Sequence, residues 1–467
     1  MQIPIISGIS ADETADWRTA LPRNLVVVPT DTGISKAYLR TAPGITQFAT
    51  GVGLDRGGIN WDGSMYRVMG TSLVRIDSAG VVATLGDVGE GGYCTLDYGF
   101  DRLAVWSGGR LYYYTDAGVF LQVTDSDLGV VIDGCWMSGY FISTDGVNIV
   151  VTELNDPTSV DPLKYGSAEF DPDALLAVRK LAGQLIAFGR YTVETYAQIG
   201  GSGFPFQVNQ GSQITTGIVG THAVAPFGGS YAFVGSARNA PPSVYLLGSG
   251  TAPSIATREV EKILAGYTDA QLAAVIVESQ HDSAHQFLYI HLPDKTLVFD
   301  GAASQALGQP QWTVRTSGLA EAGQYRARGL VYCYGKWLSG DPTAVTIGEF
   351  SESLTGHYGT AVGWQFSTPI AYTDSTSGIV HALELVTLPG RVPLGADPPV
   401  FTSYSHDGET WSQEFIASAG KQGERGKRIA WRRQGMIRNT RMQRFRGESR
   451  IAVAALEASF EPLSAGG

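Results

Sequence analysis

Residues 103–114, Leu103-Ala-Val-Trp-Ser-Gly-Gly-Arg-Leu-Tyr-Tyr-Tyr114, decide the fold class of this chain. Two runs of aromatic and aliphatic residues flank a Gly-Gly turn, which is the pattern of a β-hairpin. Related hairpins begin near Trp61, Tyr140, Leu185, Tyr231, Phe287 and Leu330. Successive starts lie about 40 to 55 residues apart, the spacing at which four-stranded propeller blades recur.

This repetition predicts an all-β fold in which residues 56–355 form a β-propeller-like domain of six or seven degenerate blades. A single blade cannot bury both of its faces, so radial stacking of neighbours has to complete the core. A β-sandwich with irregular hairpins is the alternative, because its strands show the same alternation.

A second all-β module, a sandwich or barrel, is predicted for residues 356–467. Period-two apolar patterns occur around Trp364, His381, Val400 and Ile451. The N-terminal strands of residues 1–55 are expected to pack on this module, since chain ends often meet. Helix is expected in at most two short surface segments. One is Arg258 to Leu264 with a single apolar face, and the other follows the capping-box pair Thr268 and Gln271.

Composition limits the classes of function. Of the 467 residues only 16% are charged, against the roughly 25% usual in soluble domains, so much surface is neutral or buried against partners. Cys94, Cys135 and Cys333 lie far apart, which predicts neither a zinc site nor a disulfide framework and fits a reducing compartment. The sequence has no signal-peptide pattern and no run of about 18 apolar residues, so no membrane segment is expected.

Charge is distributed unevenly. The formal net charge is −11, which argues against wrapping DNA directly, because binding phosphate requires a cationic surface. Residues 421–450 nevertheless carry eleven Lys and Arg against two Glu, a local charge of +9 that leaves −20 for the remainder. We call this stretch the basic segment.

The basic segment supplies the predicted interface residues, which are Arg428, Arg432, Arg433, Arg438, Arg441 and Arg444. If this stretch is a strand, Arg441, Gln443 and Phe445 face one side and Met442, Arg444 and Arg446 face the other. Arginine favours bidentate partners, so the segment is interpreted as meeting phosphate or an acidic neighbouring subunit. A solvated or internally paired hairpin is the alternative.

No catalytic, cofactor-binding or metal-ligating residue is predicted. Ser405-His-Asp407-Gly408-Glu-Thr-Trp411 is similar to the Asp-box hairpin of sialidases but lacks one residue between Asp and Gly, so a plain Asp-Gly turn is favoured. His281, Asp282, His285 and His291 lie close in sequence. A metal site needs further ligands that the sequence does not identify, so these histidines are interpreted as flanking a strand.

A family resemblance runs through almost the whole chain in conserved order. It rests on Tyr38-Leu-Arg40, Pro43-Gly-Ile-Thr46, Ser243-Val-Tyr-Leu-Leu-Gly-Ser-Gly250, Ser254-Ile-Ala-Thr257, Glu261-Lys-Ile263, Tyr267-Thr268, His291-Leu-Pro293, Leu297-Val-Phe-Asp300, Pro310-Gln-Trp312, Lys427-Arg428, Trp431-Arg432 and Arg438. In these stretches the chain resembles the packaged-DNA stabilisation proteins, which are tail-hub or nozzle proteins of short-tailed phages (podoviruses).

The resemblance implies a non-enzymatic virion protein that forms a homohexameric ring beneath the portal and its adaptor ring. It further implies attachment of a tail needle and of tailspikes or fibres, and passage of double-stranded DNA through the lumen without sequence-specific binding. The particle would be assembled in the host bacterial cytoplasm. A glycan-acting propeller enzyme, such as a depolymerase or sialidase-like hydrolase, is the main alternative, and a monomeric interaction platform is another.

Overall fold

A computed structural model of the chain describes residues 2–11, 16–31, 33–168, 170–201, 203–282, 284–372, 377–437 and 440–463. Strands dominate these residues, so the predicted all-β class is confirmed. No helix among them is long and apolar enough to cross a bilayer.

The chain begins with six short strands: β1 Gln2–Ile3, β2 Gly8–Ala11, β3 Trp17–Ala20, β4 Leu25–Pro29, β5 Ala37–Thr41 and β6 Gly44–Thr50. Strands β2 and β3 form a hairpin, and β4 pairs with β5.

Seven sheets follow in sequence order, and each forms one blade. Blade one contains β7 Asp55–Trp61, β8 Ser64–Met69, β9 Ser72–Ile76 and β10 Val82–Asp87; blade two contains β11 Thr95–Tyr98, β12 Arg102–Ser107, β13 Arg110–Thr115 and β14 Phe120–Gln122. Blade three contains β15 Asp133–Met137, β16 Tyr140–Thr144, β17 Asn148–Val151 and β18 Gly166–Ser167; blade four contains β19 Leu175–Leu181, β20 Gln184–Gly189, β21 Val193–Gln198 and β22 Phe206–Val208.

Blade five contains β23 Gly217–Ile218, β24 Val224–Phe227, β25 Ser230–Ser236 and β26 Ser243–Leu246; blade six contains β27 Ile276–Asp282, β28 His285–His291, β29 Thr296–Asp300 and β30 Trp312–Arg315. Blade seven contains β31 Arg328–Cys333, β32 Lys336–Gly340 and β33 Thr346–Ser351, with β6 as its fourth strand. Two 3-10 turns, Ser126–Leu128 and Pro162–Lys164, lie in the loops. The blade count is the upper of the two that the repeats allowed.

The blades form a closed ring. Contacts between strands of adjacent blades run from β7 through β11 and β15 to β19, then from β20 to β23, and from β24 through β27 and β31 back to β7. Seven buried apolar clusters each combine residues of two neighbouring blades. Trp106 of blade two, for example, packs near Phe141 of blade three and donates its indole N–H to Ser143 Oγ at 2.8 Å. Stacking of neighbours therefore buries both faces of each blade.

The C-terminal residues form a β-sandwich. Its strands are β34 Trp364–Ser367, β35 Ala371–Tyr372, β36 Gly378–Thr387, β37 Pro399–Ser405, β38 Phe415–Ser418, β39 Ile429–Arg432, β40 Met436–Ile437, β41 Thr440–Gly447 and β42 Ala452–Pro462. One sheet has the order β39-β36-β42-β5-β4, with β1 also on β42 and β40 on β36. The other has the order β34-β41-β37-β38, with β35 also on β41.

The N-terminal strands divide between the two domains. Strands β1, β4 and β5 join the sandwich sheet, whereas β6 pairs with β33 in the propeller. The structure therefore differs from the expectation that all strands of residues 1–55 pack on the C-terminal module. The reason is that Ile45 and Ala49 alternate into apolar clusters of blade seven, where they complete the ring.

A main-chain bridge joins the two domains. The N–H of Arg23 donates to the carbonyl of Gln365 in the sandwich at 2.8 Å, and the N–H of Asn24 donates to Val314 in blade six at 2.8 Å. Backbone hydrogen bonds thus run without a break from β30 to β34, which fixes the domains relative to each other.

Three α-helices occur among the described residues, so the limit of two was wrong. Helix α1, Arg258–Ala265, and helix α2, Asp269–Ala273 with its Thr268/Gln271 capping box, lie where they were predicted. Helix α3, Gly301–Leu307, was missed because Gly301-Ala-Ala-Ser304 has no apolar periodicity. Capping interactions at its two ends define this helix. Asp300 accepts a hydrogen bond from the N–H of Ala303 at 3.1 Å, and Gly308 takes the left-handed φ of 69°.

Removing the buried side chain that anchors the closing strand should destabilise the propeller. We expect Ile45→Ala to lower the free energy of unfolding by about 2–4 kcal/mol, because a buried aliphatic side chain is lost and a cavity remains. Gln47→Ala, at an exposed position of the same strand, should change it by less than about 0.5 kcal/mol. Urea denaturation followed by tryptophan fluorescence measures both, and equal effects would contradict the closing role of β6.

A buried histidine next to the closing strand should make stability depend on pH. His357 lies beside Ile45, and its Nδ1 is 2.7 Å from Ser317 Oγ. Burial, with Arg315 and Arg326 nearby, lowers the pKa of His357 to about 3. Below about pH 6.5, His357 is protonated in the unfolded chain but stays neutral in the folded chain. The free energy of unfolding therefore falls as the pH decreases. Between pH 7 and pH 5 the parent protein should lose about 2 kcal/mol more than His357→Gln, and equal losses would contradict this.

Candidate assembly surfaces and the propeller axis

Charged side chains lie around the propeller axis, where the inner strands of the blades meet. Arg67 of blade one forms an ion pair with Asp55 at 2.6 Å, and both side chains are fully buried. Arg328 of blade seven donates to the main-chain carbonyl of Asp55 at 2.9 Å. The hydrogen bond from Arg328 therefore ties the last blade to the first next to this buried ion pair, at the point where the ring closes.

Glu278 is a second buried link, contributed by blade six. It accepts hydrogen bonds from Tyr93 Oη at 2.7 Å, from the N–H of Gly329 at 2.7 Å and from His291 Nε2 at 3.1 Å. Burial alone would raise the pKa of Glu278, but these donors, His291 first, outweigh it and lower the pKa below its ordinary value. The carboxylate is thus held ionised inside the ring.

Two further ion pairs near the propeller axis connect residues of blades two, three and four. Arg179 contacts Asp133, which also accepts from Thr95 Oγ1 at 2.5 Å. Lys180 pairs with Asp97 at 2.8 Å. Lys180 and Asp97 line a cavity of about 300 Å³ on the axis, together with Arg179 and His222.

This arrangement favours a rigid ring over chemistry at the axis. Hydrolysis of a glycoside uses two carboxyl groups that flank the bond, one as acid and one as base or nucleophile. The four axial carboxylates described above are each held by a cation or by several donors. Sequence reasoning missed this network, although Arg67 between Tyr66 and Val68 in an apolar strand signals a buried partner.

The arginines of the basic segment do not form one strip. Arg428 and Arg432 lie on the outer face of the seven-stranded sheet and are exposed. Arg428 donates from Nε to Glu384 Oε1 at 2.7 Å, so it is already paired within the chain. Arg433 is exposed and has a left-handed φ of 57° just after β39. Arg438 lies outside the described residues.

Arg441 points into the sandwich, and the structure corrects its expected place on an interface strip. Its side chain is only 3% exposed, donates from Nη1 to the carbonyl of Gln434 at 2.5 Å and lies 3.9 Å from the ring centre of Tyr404. Burial lowers the pKa of Arg441 to about 10. A buried guanidinium cannot contact another subunit, and strand alternation places it there because Gln443 and Phe445 also face inward.

Arg444 and Arg446 occupy the opposite face of β41, as the alternation predicted. Arg444 lies 4.3 Å from the ring centre of Trp411 and 3.9 Å from a Glu321 oxygen. Arg446 forms a two-point contact with Glu414 at 2.5 Å. Much of the basic segment is therefore paired internally, and its role as an interface stays a prediction.

The remaining sequence motifs have structural explanations. His285 Nδ1 lies 2.5 Å from Asp300, and His291 contacts Glu278, so these rings point to different carboxylates. No group of three or more potential metal ligands occurs among the described residues. Asp407 accepts from Ser405 Oγ at 2.8 Å and from the N–H groups of Glu409 and Thr410, which lowers its pKa and stabilises the turn after β37.

Breaking the buried pair at the ring closure should be costly. We expect Asp55→Asn to lower the free energy of unfolding by about 3–5 kcal/mol, because Arg67 would remain buried without its counter-charge. Glu384→Gln, which breaks the exposed pair with Arg428, should leave the urea midpoint almost unchanged. Similar midpoint shifts in the two variants would contradict the special role of the axial pair.

Comparison with known proteins agrees with this architecture. The family model described as bacteriophage P22 Gp10, beta-propeller, matches residues 1–355, and the model described as bacteriophage P22 Gp10, beta-sandwich, matches residues 363–461. The chain is 31% identical over 458 residues to the tail hub protein gp10 of Salmonella phage P22, covering 94% of each protein.

The solved structures that match are more distant in sequence. The WD40 domain of Neurospora crassa Pan2 is 11% identical with a TM-score of 0.44, covering 66% of this chain and 95% of that domain. The N-terminal domain of Nup159 is 10% identical with a TM-score of 0.42, covering 71% of this chain and 99% of that domain. The predicted resemblance to phage tail-hub proteins is confirmed by the family models and the P22 relative: the chain belongs to the bacteriophage P22 Gp10 family, which combines a β-propeller with a β-sandwich.

Proposed function

We propose that this chain is a structural tail hub subunit that continues the DNA channel below the portal and adaptor of a short-tailed phage. The observation that supports this most is the 31% identity to the P22 tail hub protein over 94% of both chains, because it includes the propeller and the sandwich. The subunit would act as a homohexamer, help to retain packaged DNA and anchor a needle and tailspikes or fibres.

The DNA path in this proposal runs between subunits and not through a propeller. The axial cavity of about 300 Å³ is far too small for a duplex whose major groove alone is about 12 Å wide. Ion pairs between charged side chains lie around the propeller axis and hold the blades together. A lumen for DNA therefore needs several copies of the chain around it.

The charge of the chain suits a lumen through which DNA slides. A net charge of −11 is compatible with neutral or acidic walls, which would repel phosphate and provide no sequence-specific contact. The exposed arginines Arg432 and Arg433, with Arg438, would instead meet acidic surfaces of a neighbouring subunit. A strongly basic lumen in the assembled ring would contradict this division of charge.

Assembly in the host cytoplasm is part of the proposal, with the mature protein in the virion tail. The free thiols of Cys94, Cys135 and Cys333 are buried and fit a reducing compartment. The glycan-acting alternative would need two available carboxyl groups in one cleft, and the axial carboxylates are engaged in pairs. Release of sugars from host capsule or lipopolysaccharide by the purified protein would favour that alternative.

The decisive experiment is the mass and shape of the purified chain, alone and mixed with portal and adaptor. Light scattering and negative-stain imaging should find a sixfold ring, either alone or on the adaptor. A monomer that ignores the adaptor would overturn the proposal.

Reversing exposed charge should weaken this assembly. We expect Arg432→Glu combined with Arg433→Glu to reduce ring or adaptor association by about tenfold, because rim charges across an interface contribute to encounter and orientation. The effect should shrink in 0.5 M salt, where charges are screened. The matched control is Arg110→Glu, an exposed arginine on the propeller. Unchanged association of the double variant would remove these arginines from the interface.

A further inference from the structure

The outer face of the seven-stranded sheet carries a groove of about 400 Å³ where β36, β42 and β5 meet. Strand alternation creates it, since Leu39 and Val453 point into the core while Tyr38 and Arg40 point outward. Its lining includes the apolar surface of Tyr38, Val386 and Leu388, which we call its floor, and the arginines Arg40, Arg391 and Arg450, which we call its rim. We call it the outer groove.

The outer groove has a one-sided charge. Its lining, which lies wholly within the described residues, contains three arginines and no carboxylate. Arg40 is paired with Glu352, which lies outside the lining, whereas Arg391 and Arg450 are exposed and have no ion pair with any described residue. Arg425 adds a further positive charge nearby, since it donates to the carbonyl of Pro389 at 3.5 Å.

The accessible donors of the groove are the guanidinium groups of Arg391 and Arg450, which are exposed and belong to its lining. A carboxylate oxygen is a suitable acceptor for them, because a guanidinium offers two parallel N–H groups to one carboxylate.

The apolar floor selects among anionic partners. Leu388 is 54% exposed and lines the same groove as the arginines, so a phosphate chain would satisfy the arginines and leave this apolar surface in water. A polypeptide with carboxylates and apolar side chains can pair with the arginines and also cover the apolar floor. The surface charge of the rest of this chain is opposite in sign to the groove, which further marks the groove as a place for an acidic partner.

We propose that the outer groove binds an acidic segment of a partner protein, with apolar side chains on the floor and carboxylates on Arg40, Arg391 and Arg450. This inference goes beyond the proposed tail hub function, since it names a docking surface on the sandwich and the chemistry of the segment that it takes. It does not require the ring.

The test uses fluorescent ten-residue peptides and the purified full-length chain. A peptide of alternating Leu and Glu should bind, as measured by fluorescence anisotropy. Arg391→Glu combined with Arg450→Glu should weaken its binding by about tenfold or more, since both rim charges reverse. Peptides of alternating Leu and Lys, or Ser and Glu, should bind at least about tenfold more weakly. The first lacks carboxylates for the arginines, and the second lacks apolar side chains for the floor.

Arg433→Glu is the matched control. It reverses an exposed arginine near His381, six residues and therefore about 20 Å along β36 from Thr387. The affinity of the Arg433→Glu variant for the Leu/Glu peptide should stay within about twofold of that of the parent protein. Absence of Leu/Glu binding, equal binding by the Ser/Glu peptide or by duplex DNA of equal charge, or insensitivity to the Arg391/Arg450 reversal would each overturn the inference. A failure to form rings would leave these binding results unaffected.

Discussion

Strand β6 pairs with β33 from Gly44 opposite Ser351 to Thr50 opposite Thr346, and this contact joins parts of the chain about 300 residues apart. Every blade buries one face against each neighbour, so a ring with a gap would expose two apolar faces at once. Closure therefore supports all seven clusters between blades. It also explains why a strand near the N-terminus belongs to the last blade and not to the first.

The sandwich follows from the same closure. Only Ala42 and Pro43 separate β5 in the sandwich sheet from β6 in blade seven, so the two domains are tied at a very short connection. The bridge through Arg23 and Asn24 ties them again at blade six. Both ties lie in the N-terminal part of the chain, which therefore connects the sandwich to the ring at two points.

The sequence was informative where the pattern is local. The hairpin at 103–114 and the capping box at Thr268 depend on residues close in sequence, and both were predicted. The partner of β6, the start of α3 and the direction of Arg441 depend on distant residues, which a local pattern does not contain. Arg441 is instructive, because a count of charges treats it like Arg432 although one is buried against Tyr404 and the other is exposed.

The same distinction decides where positive charge remains available. Arg428 and Arg446 have carboxylates of their own chain within 2.7 Å, and exposed pairs of this kind contribute little to stability and leave little charge for a partner. Arg391 and Arg450 are exposed beside a concave apolar floor with no carboxylate in its lining. Solvent satisfies an exposed guanidinium well, so its charge alone does not favour binding. Burial of the apolar floor by a partner removes apolar surface from water, which favours binding. The outer groove is therefore distinctive because it combines exposed arginines with an apolar surface, and not because of the number of its arginines.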